Sequence, residues 1–290
     1  PIFAMEPSDN KYVKLGELSD SLDKIYCYIS GIDPLNNIIR NHEELVTVIM
    51  TTFNRDDTIC NAVDSILNQT HINLKIIIID DNSTDRTLNK LKKYSNNKKI
   101  TIIQNAINKG TYYCKNIGLS LMDTNTKYYT FQDSDDVSHP SRIQIHLDNM
   151  LKTNAKCSVS LMTRGKNLKM CYITQMYSID VFNYLGYFDS STRFGADSEY
   201  IYRYFKYNNV NCDNLSKGFS YTCEIQKNPL YVTTNLFCYI PMVLYFVKES
   251  REENLTKIYP LGKYSRTTYL KKYKKKINKL TKKELRYTFE

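Results

Sequence analysis

Between Leu45 and Asp136 the sequence repeats one pattern four times: a short β-branched run, a polar loop, then residues of helical periodicity. LVTVIM (45–50) exits into Thr51-Thr52-Phe53-Asn54, and Ile59, Ala62, Val63, Ile66 and Leu67 then share one face of a helix predicted over Asp56–Gln69 with Asp56 or Asp57 as cap. LKIIII (74–79) ends on Asp80-Asp81, with Ser83 or Thr84 predicted to cap a helix reaching Tyr94. Ile100–Gln104 and a helix over Gly110–Met122 follow, and KYYTFQ (127–132) ends on Asp133-Ser134-Asp135-Asp136. Such alternation predicts an α/β fold: a mostly parallel sheet with right-handed crossovers, flanked by helices. Uninterrupted Ile runs fit strands covered on both faces.

In sheets of this kind ligands bind outside the carboxyl ends of the strands. Function is therefore expected in Thr51–Arg55, Asp80–Asp85, Asn105–Gly110 and Asp133–Asp136. Neither G-x-G-x-x-G nor G-x-x-x-x-G-K-[ST] occurs, which argues against dinucleotide and P-loop versions of the architecture. Carboxylates packed as closely as Asp133, Asp135 and Asp136 repel one another and call for a counter-charge. Hard oxygen ligands suit Mg²⁺ or Mn²⁺ rather than zinc, and such sites complete their shell with substrate phosphates. A solvated turn or a helix cap before His139-Pro140 is the alternative for the tetrapeptide alone.

VTVIMTTFNR (46–55), IIIIDDNSTDRT (76–87), NAINKGTYYCKNIGL (105–119), FQDSDD (131–136) and FGADSEYIYR (194–203) resemble, in order and spacing, the motifs of family 2 glycosyltransferases with the GT-A fold. The resemblance spans about residues 45 to 205. It implies a metal-dependent, inverting transfer of a sugar from a nucleotide sugar, with UDP the expected nucleotide, to a hydroxyl of a glycan, lipid or protein acceptor. Thr51, Thr52 and Asn54 fall where the family's first loop touches the nucleotide, and Asp81 matches the acid that accepts from the base. Asp80 is expected to be structural. Asn108 and Lys109 match the N-x-G loop, and Lys115 stands where the family commonly has Arg, leaving a point charge for the diphosphate. Asp133 would lie near ribose or metal, Asp135 would be a direct metal ligand in a DxD-type motif, and Asp136 would stand behind them. Asp197 occupies the position of the catalytic base, with Ala196 where a Glu is commoner. Arg251 resembles a late loop residue near the diphosphate. Processive members add Q-x-x-R-W, and the chain contains no Trp, so a non-processive enzyme is expected.

The formal charge of +10 sits at one end: Lys263 to Arg286 holds eleven Lys or Arg against one acid, Glu284. Tyr269, Leu270, Tyr273, Ile277, Leu280 and Leu285 recur there at near-helical spacing. The segment reads as a basic amphipathic helix for an anionic membrane surface or acidic partner, or as a terminal helix packed on the domain with a solvated basic face. No nucleic acid is expected as partner. A nucleic-acid-binding module would explain the tail but not the acidic strand ends, and a GT-A-like nucleotidyltransferase would normally open with a Gly-rich phosphate loop.

The expected organisation is an arm over 1–44 with a short helix in Leu15–Ile29, a nucleotide-sugar-binding half over 45–156, an acceptor-binding half over 157–262 and the basic tail over 263–290. Eight cysteines without C-x-x-C spacing read as buried thiols. No signal peptide opens the chain, which begins Pro-Ile-Phe-Ala-Met like the cut edge of something longer, and Leu230–Val247 reads as core rather than bilayer. The sequon Asn82-Ser83-Thr84 lies inside the expected nucleotide site, favouring a cytosolic location.

Overall fold

A computed structural model describes residues 43–164, 167–170, 172–209, 236–248 and 262–289. All belong to one compact unit, Asn41–Glu290. The expected helix Leu15–Ile29, the rest of the arm before Glu43, and Arg251 lie outside the described residues.

The repeats form β1 (Leu45–Thr52), α1 (Ile59–Leu67), β2 (Leu74–Asp80), α2 (Thr87–Leu91, extended by a 3₁₀ turn to Tyr94), β3 (Ile100–Gln104), α3 (Thr111–Ser120) and β4 (Thr126–Asp133). Then come β5 (Val137–Ser138), α4 (Arg142–Thr153), β6 (Cys157–Arg164), β7 (Asn167–Met170), β8 (Met176–Ser178), α5 (Ile179–Leu185), α6 (Ala196–Tyr207), β9 (Phe237–Val247) and α7 (Gly262–Ile277). The strands order as β3-β2-β1-β4-β8-β6-β9-β5, with β7 beside β6. β3, β2, β1 and β4 are mutually parallel, whereas β8 joins β4 and β6 antiparallel, so the second half of the sheet is mixed.

β1 is buried on both faces. Val46, Val48 and Met50 pack with α1 and with Ile143, Leu147 and Met150 of α4, while Ile49 packs on the other side with Leu119, Tyr129 and Phe131. Gly118 lets α3 lie close on β1, since a Cβ there would clash with the Ile49 side chain.

Two helix starts differ from expectation because their predicted caps are used in tertiary contacts. Ser83 Oγ accepts from Asn54 N–H and donates to Asp80, and Thr84 N–H donates to Asn54 Oδ1. α2 therefore begins later, with Asp85 Oδ1 accepting from Thr87 N–H at 2.8 Å. Likewise Asp56 pairs with Arg86 and Asp57 with Lys248, and α1 begins at Ile59.

The basic tail folds onto the domain. Tyr273, Ile277 and Leu285 are buried in the same cluster as Tyr200, Ile201 and Tyr204 of α6. Tyr287 then bridges to Gly186, donating its N–H to Leu185 O and accepting from Tyr187 N–H. Tyr269, Tyr273, Ile277, Leu280 and Leu285 are thus directed inward, while Lys271, Lys272, Lys275, Lys276, Lys279, Lys282 and Lys283 remain exposed. Cys60, Cys114, Cys157 and Cys238 are free thiols. Among the described residues no helix is long and apolar enough to cross a membrane.

Candidate active site

Parallel register brings the carboxyl ends of the first strands to one edge: Thr51 lies opposite Ile79 on one side and Asp133 on the other, and Thr52 opposite Asp80. Thr51 Oγ1 lies 3.0 Å from Thr111 Oγ1 at the start of α3. Thr52 is buried, and its carbonyl accepts the Asp81 N–H. Asn54 takes a positive φ of 50° and ties the first loop to the second through Ser83 and Thr84.

Asp81 organises the third loop. Its Oδ1 accepts from Asn105 Nδ2 at 2.8 Å and from Lys109 N–H at 2.9 Å, and its Oδ2 accepts from Gly110 N–H at 2.7 Å. The side chain read as a base acceptor thus also carries the N-x-G loop on three hydrogen bonds. Asn108 donates to the Asp81 carbonyl. Asp80 is fully buried, and burial raises its carboxyl above the ordinary value against the pull of Ser83 Oγ and Ser83 N–H. Lys115 turns inward: it is buried, with Nζ 4.8 Å from the ring centre of Phe131 and 5.6 and 5.8 Å from those of Tyr112 and Phe188.

Asp133, Asp135 and Asp136 place one carboxylate oxygen each within 4.8 Å of one another. Burial, followed by repulsion from Asp133 and Asp135, pushes the Asp136 carboxyl up to about 8, although Lys248 N–H and the Tyr245 hydroxyl favour its charged form. Three hard oxygen donors gathered this closely fit a divalent cation of the Mg²⁺ or Mn²⁺ kind. One local cation already stands there: Arg55 Nε lies 3.2 Å from Asp135 Oδ2.

Asp197 stands in the first turn of α6, where the helix dipole favours a carboxylate. Its Oδ1 accepts from the Tyr112 hydroxyl at 3.0 Å. Two residues on, Glu199 points into the core and pairs with Arg203 at 2.7 Å, both side chains fully buried. Arg203 also donates to the carbonyls of Leu185, Tyr187 and Leu285. It therefore joins α6, the end of α5 and the C-terminal segment.

The profile of Glycosyl transferase family 2 matches residues 47–219, more than half of the 290-residue chain. The chain belongs to that family. This family 2 chain is 43% identical over 101 residues to an uncharacterized glycosyltransferase of Haemophilus influenzae, covering 34% of the chain and 31% of the relative. It is 31% identical over 110 residues to the Escherichia coli protein named UDP-Glc:alpha-D-GlcNAc-diphosphoundecaprenol beta-1,3-glucosyltransferase WfgD, covering 38% of the chain and 42% of the relative. The matched stretches thus span well under two thirds of these relatives. Among solved structures, the mannosyltransferase PcManGT of Pyrobaculum calidifontis, in complex with GDP-Man and Mn²⁺, aligns with a TM-score of 0.58 at 13% identity over 92% of this chain and 75% of that one. S. aureus TarS 1-349 in complex with UDP-GlcNAc aligns at 0.56 and 18% identity over 72% and 59%. At these identities the likeness is one of fold, and the fold is GT-A.

Several contacts of this family 2 site carry no sequence signal. The Arg55–Asp135 pair joins residues 80 positions apart, and Tyr112 meets Asp197 across 85. Tyr112 stands inside a quoted motif, but only the tertiary approach of α3 and α6 gives its hydroxyl a partner.

Proposed function

We propose that the chain is a metal-dependent, inverting, non-processive glycosyltransferase that moves one sugar from a nucleotide sugar, expected to be UDP-linked, to an acceptor hydroxyl. The observation that carries this reading is the carboxylate cluster Asp133, Asp135 and Asp136 at the end of β4, on the edge where the donor loops meet. Names among the relatives and neighbours support a nucleotide-sugar donor: UDP-Glc, UDP-GlcNAc and GDP-Man each occur.

In this reading Thr51, Thr52, Asn54 and Asp81 border the base and ribose, and Asn108 and Lys109 the diphosphate, whereas Lys115, turned inward among aromatic rings, is assigned no donor contact. Asp135 and Asp133 hold the cation, with Asp136 beside them. A bound divalent cation supplies neutralisation of the departing nucleoside diphosphate. Asp197 takes the proton of the acceptor hydroxyl as that oxygen attacks the anomeric carbon. The bond from that carbon to the diphosphate oxygen breaks, its electron pair leaves with the nucleotide, and the configuration inverts. The acceptor is a glycan, lipid or protein hydroxyl, and the exposed lysines of α7 would meet an anionic membrane surface on the cytosolic side.

UDP release from UDP-glucose, UDP-galactose and UDP-N-acetylglucosamine, with Mn²⁺ and then with a chelator, tests the reading. Metal-dependent release is expected, Asp197→Asn should stop transfer while UDP still binds, and Asp135→Ala should weaken nucleotide binding only when metal is present. No release from any nucleotide sugar would overturn it.

A further inference from the structure

The loop that organises the donor side and the turn that carries Asp197 are joined at two points. Tyr112, in the first turn of α3, donates its hydroxyl proton to Asp197 Oδ1 at 3.0 Å and accepts from Gly195 N–H at 3.0 Å. One phenol oxygen therefore grips both the carboxylate and the backbone two residues before it. Gly195 has a φ of 83°, a left-handed conformation in which a side chain would be strained, and this turn starts α6. Two residues earlier, Arg193 donates from Nη1 to Asn108 Oδ1 at 2.9 Å. Asn108 and Gly110 are in turn bonded to Asp81. A continuous path thus runs from Asp81 through the 105–110 loop and Tyr112 to Asp197.

A carboxylate on a short side chain has two rotatable bonds and two equivalent oxygens. Holding Oδ1 fixes both rotations and leaves Oδ2 to meet an incoming hydroxyl, which matters because proton transfer needs the base within hydrogen-bond reach. The Tyr112 ring is buried, 5.8 Å from Phe188, so its hydroxyl has little freedom of its own.

We infer that Tyr112 is the positioning residue for Asp197 and that, with the Asn108–Arg193 contact, it couples the donor loop to the base. This rests on the reading of Asp197 as base, and the variants separate the two. Tyr112→Phe keeps the ring and deletes only the hydroxyl. Its turnover, measured as UDP release from the active UDP-sugar with Mn²⁺, should fall ten- to a hundredfold. Its calorimetric UDP–Mn²⁺ affinity should stay within about twofold and its melting temperature close to that of the parent. Unchanged turnover in Tyr112→Phe while Asp197→Asn is inactive overturns the positioning role and leaves the base intact. Full activity in Asp197→Asn overturns the base itself. Equal loss of turnover and nucleotide affinity in Tyr112→Phe would assign Tyr112 to donor binding instead. Arg193→Gln alters an exposed side chain without touching the core, and a several-fold loss of turnover is expected; parental turnover would remove the coupling.

Discussion

Arg55 Nε stands 3.2 Å from Asp135 Oδ2, so an arginine of the first strand-exit loop pairs with the carboxylate proposed as a direct metal ligand. Both side chains keep partial contact with solvent, 18% and 32% exposed, which limits the pair to about 1 kcal/mol. A cation entering the cluster must share Asp135 with this guanidinium. Arg55→Gln is expected to tighten Mn²⁺ binding by roughly fivefold in calorimetry or by the loss of free-Mn²⁺ resonance signal. Weaker binding would show that Arg55 shapes the site rather than competing for it.

Glu199 and Arg203 form an ion pair with neither side chain exposed, and Arg203 bonds three carbonyls from two other segments. Removing one partner leaves the other charge buried without compensation. Arg203→Met alone should therefore cost about 3–5 kcal/mol in denaturant unfolding, and Glu199→Leu with Arg203→Met together clearly less than the two single losses added.

His146 is fully buried, with Nδ1 2.7 Å from Ser158 Oγ. Burial, and then the Arg142 guanidinium, hold its imidazole well below the usual histidine range. The folded protein keeps it neutral while the unfolded chain takes up a proton below about pH 6.5. The stability it contributes is present above that pH and is lost as pH falls toward the depressed folded value, at up to about 1.4 kcal/mol per pH unit. Unfolding free energies at pH 7.5 and 5.5 should differ less in His146→Gln than in the parent; equal slopes would remove His146 as the cause.

The exposed lysines of α7 are tested by charge reversal, because deleting 263–290 would strip Tyr273, Ile277 and Leu285 from the core. With its apolar stripe turned inward, the segment can meet a membrane only electrostatically. At about 1 kcal/mol per lysine, Lys271→Glu, Lys272→Glu and Lys275→Glu together should weaken binding to phosphatidylglycerol vesicles at least roughly a hundredfold at low salt. UDP release should be unaffected. Binding that persists at high salt would contradict the electrostatic contact.

The alternating pattern from Leu45 to Asp136 carried the first half of the fold, because strands buried on both faces and helices with one apolar face leave local, periodic signatures. Asp81 and Asp133–Asp136 stood out in the sequence as candidates on other grounds: closely spaced acids at the end of a buried strand repel one another and call for a counter-charge. The mixed second half of the sheet was not legible, since β8 has three residues and β6 pairs in parallel with β9, which lies far along the chain.

The sequence by itself determined the order of elements from Leu45 to Asp133, the gathering of polar loops at the carboxyl ends of those strands and the concentration of charge after Lys263. Only the tertiary structure decided which way the 269–285 stripe faces, that Lys115 lies among aromatic rings, that Asp81 carries the 105–110 loop, and that Tyr112 and Arg55 hold the two acids on which the proposed chemistry depends. Those outcomes turn on contacts between residues up to 85 positions apart, whose geometry arises when helices pack on the sheet and leaves no trace in local periodicity.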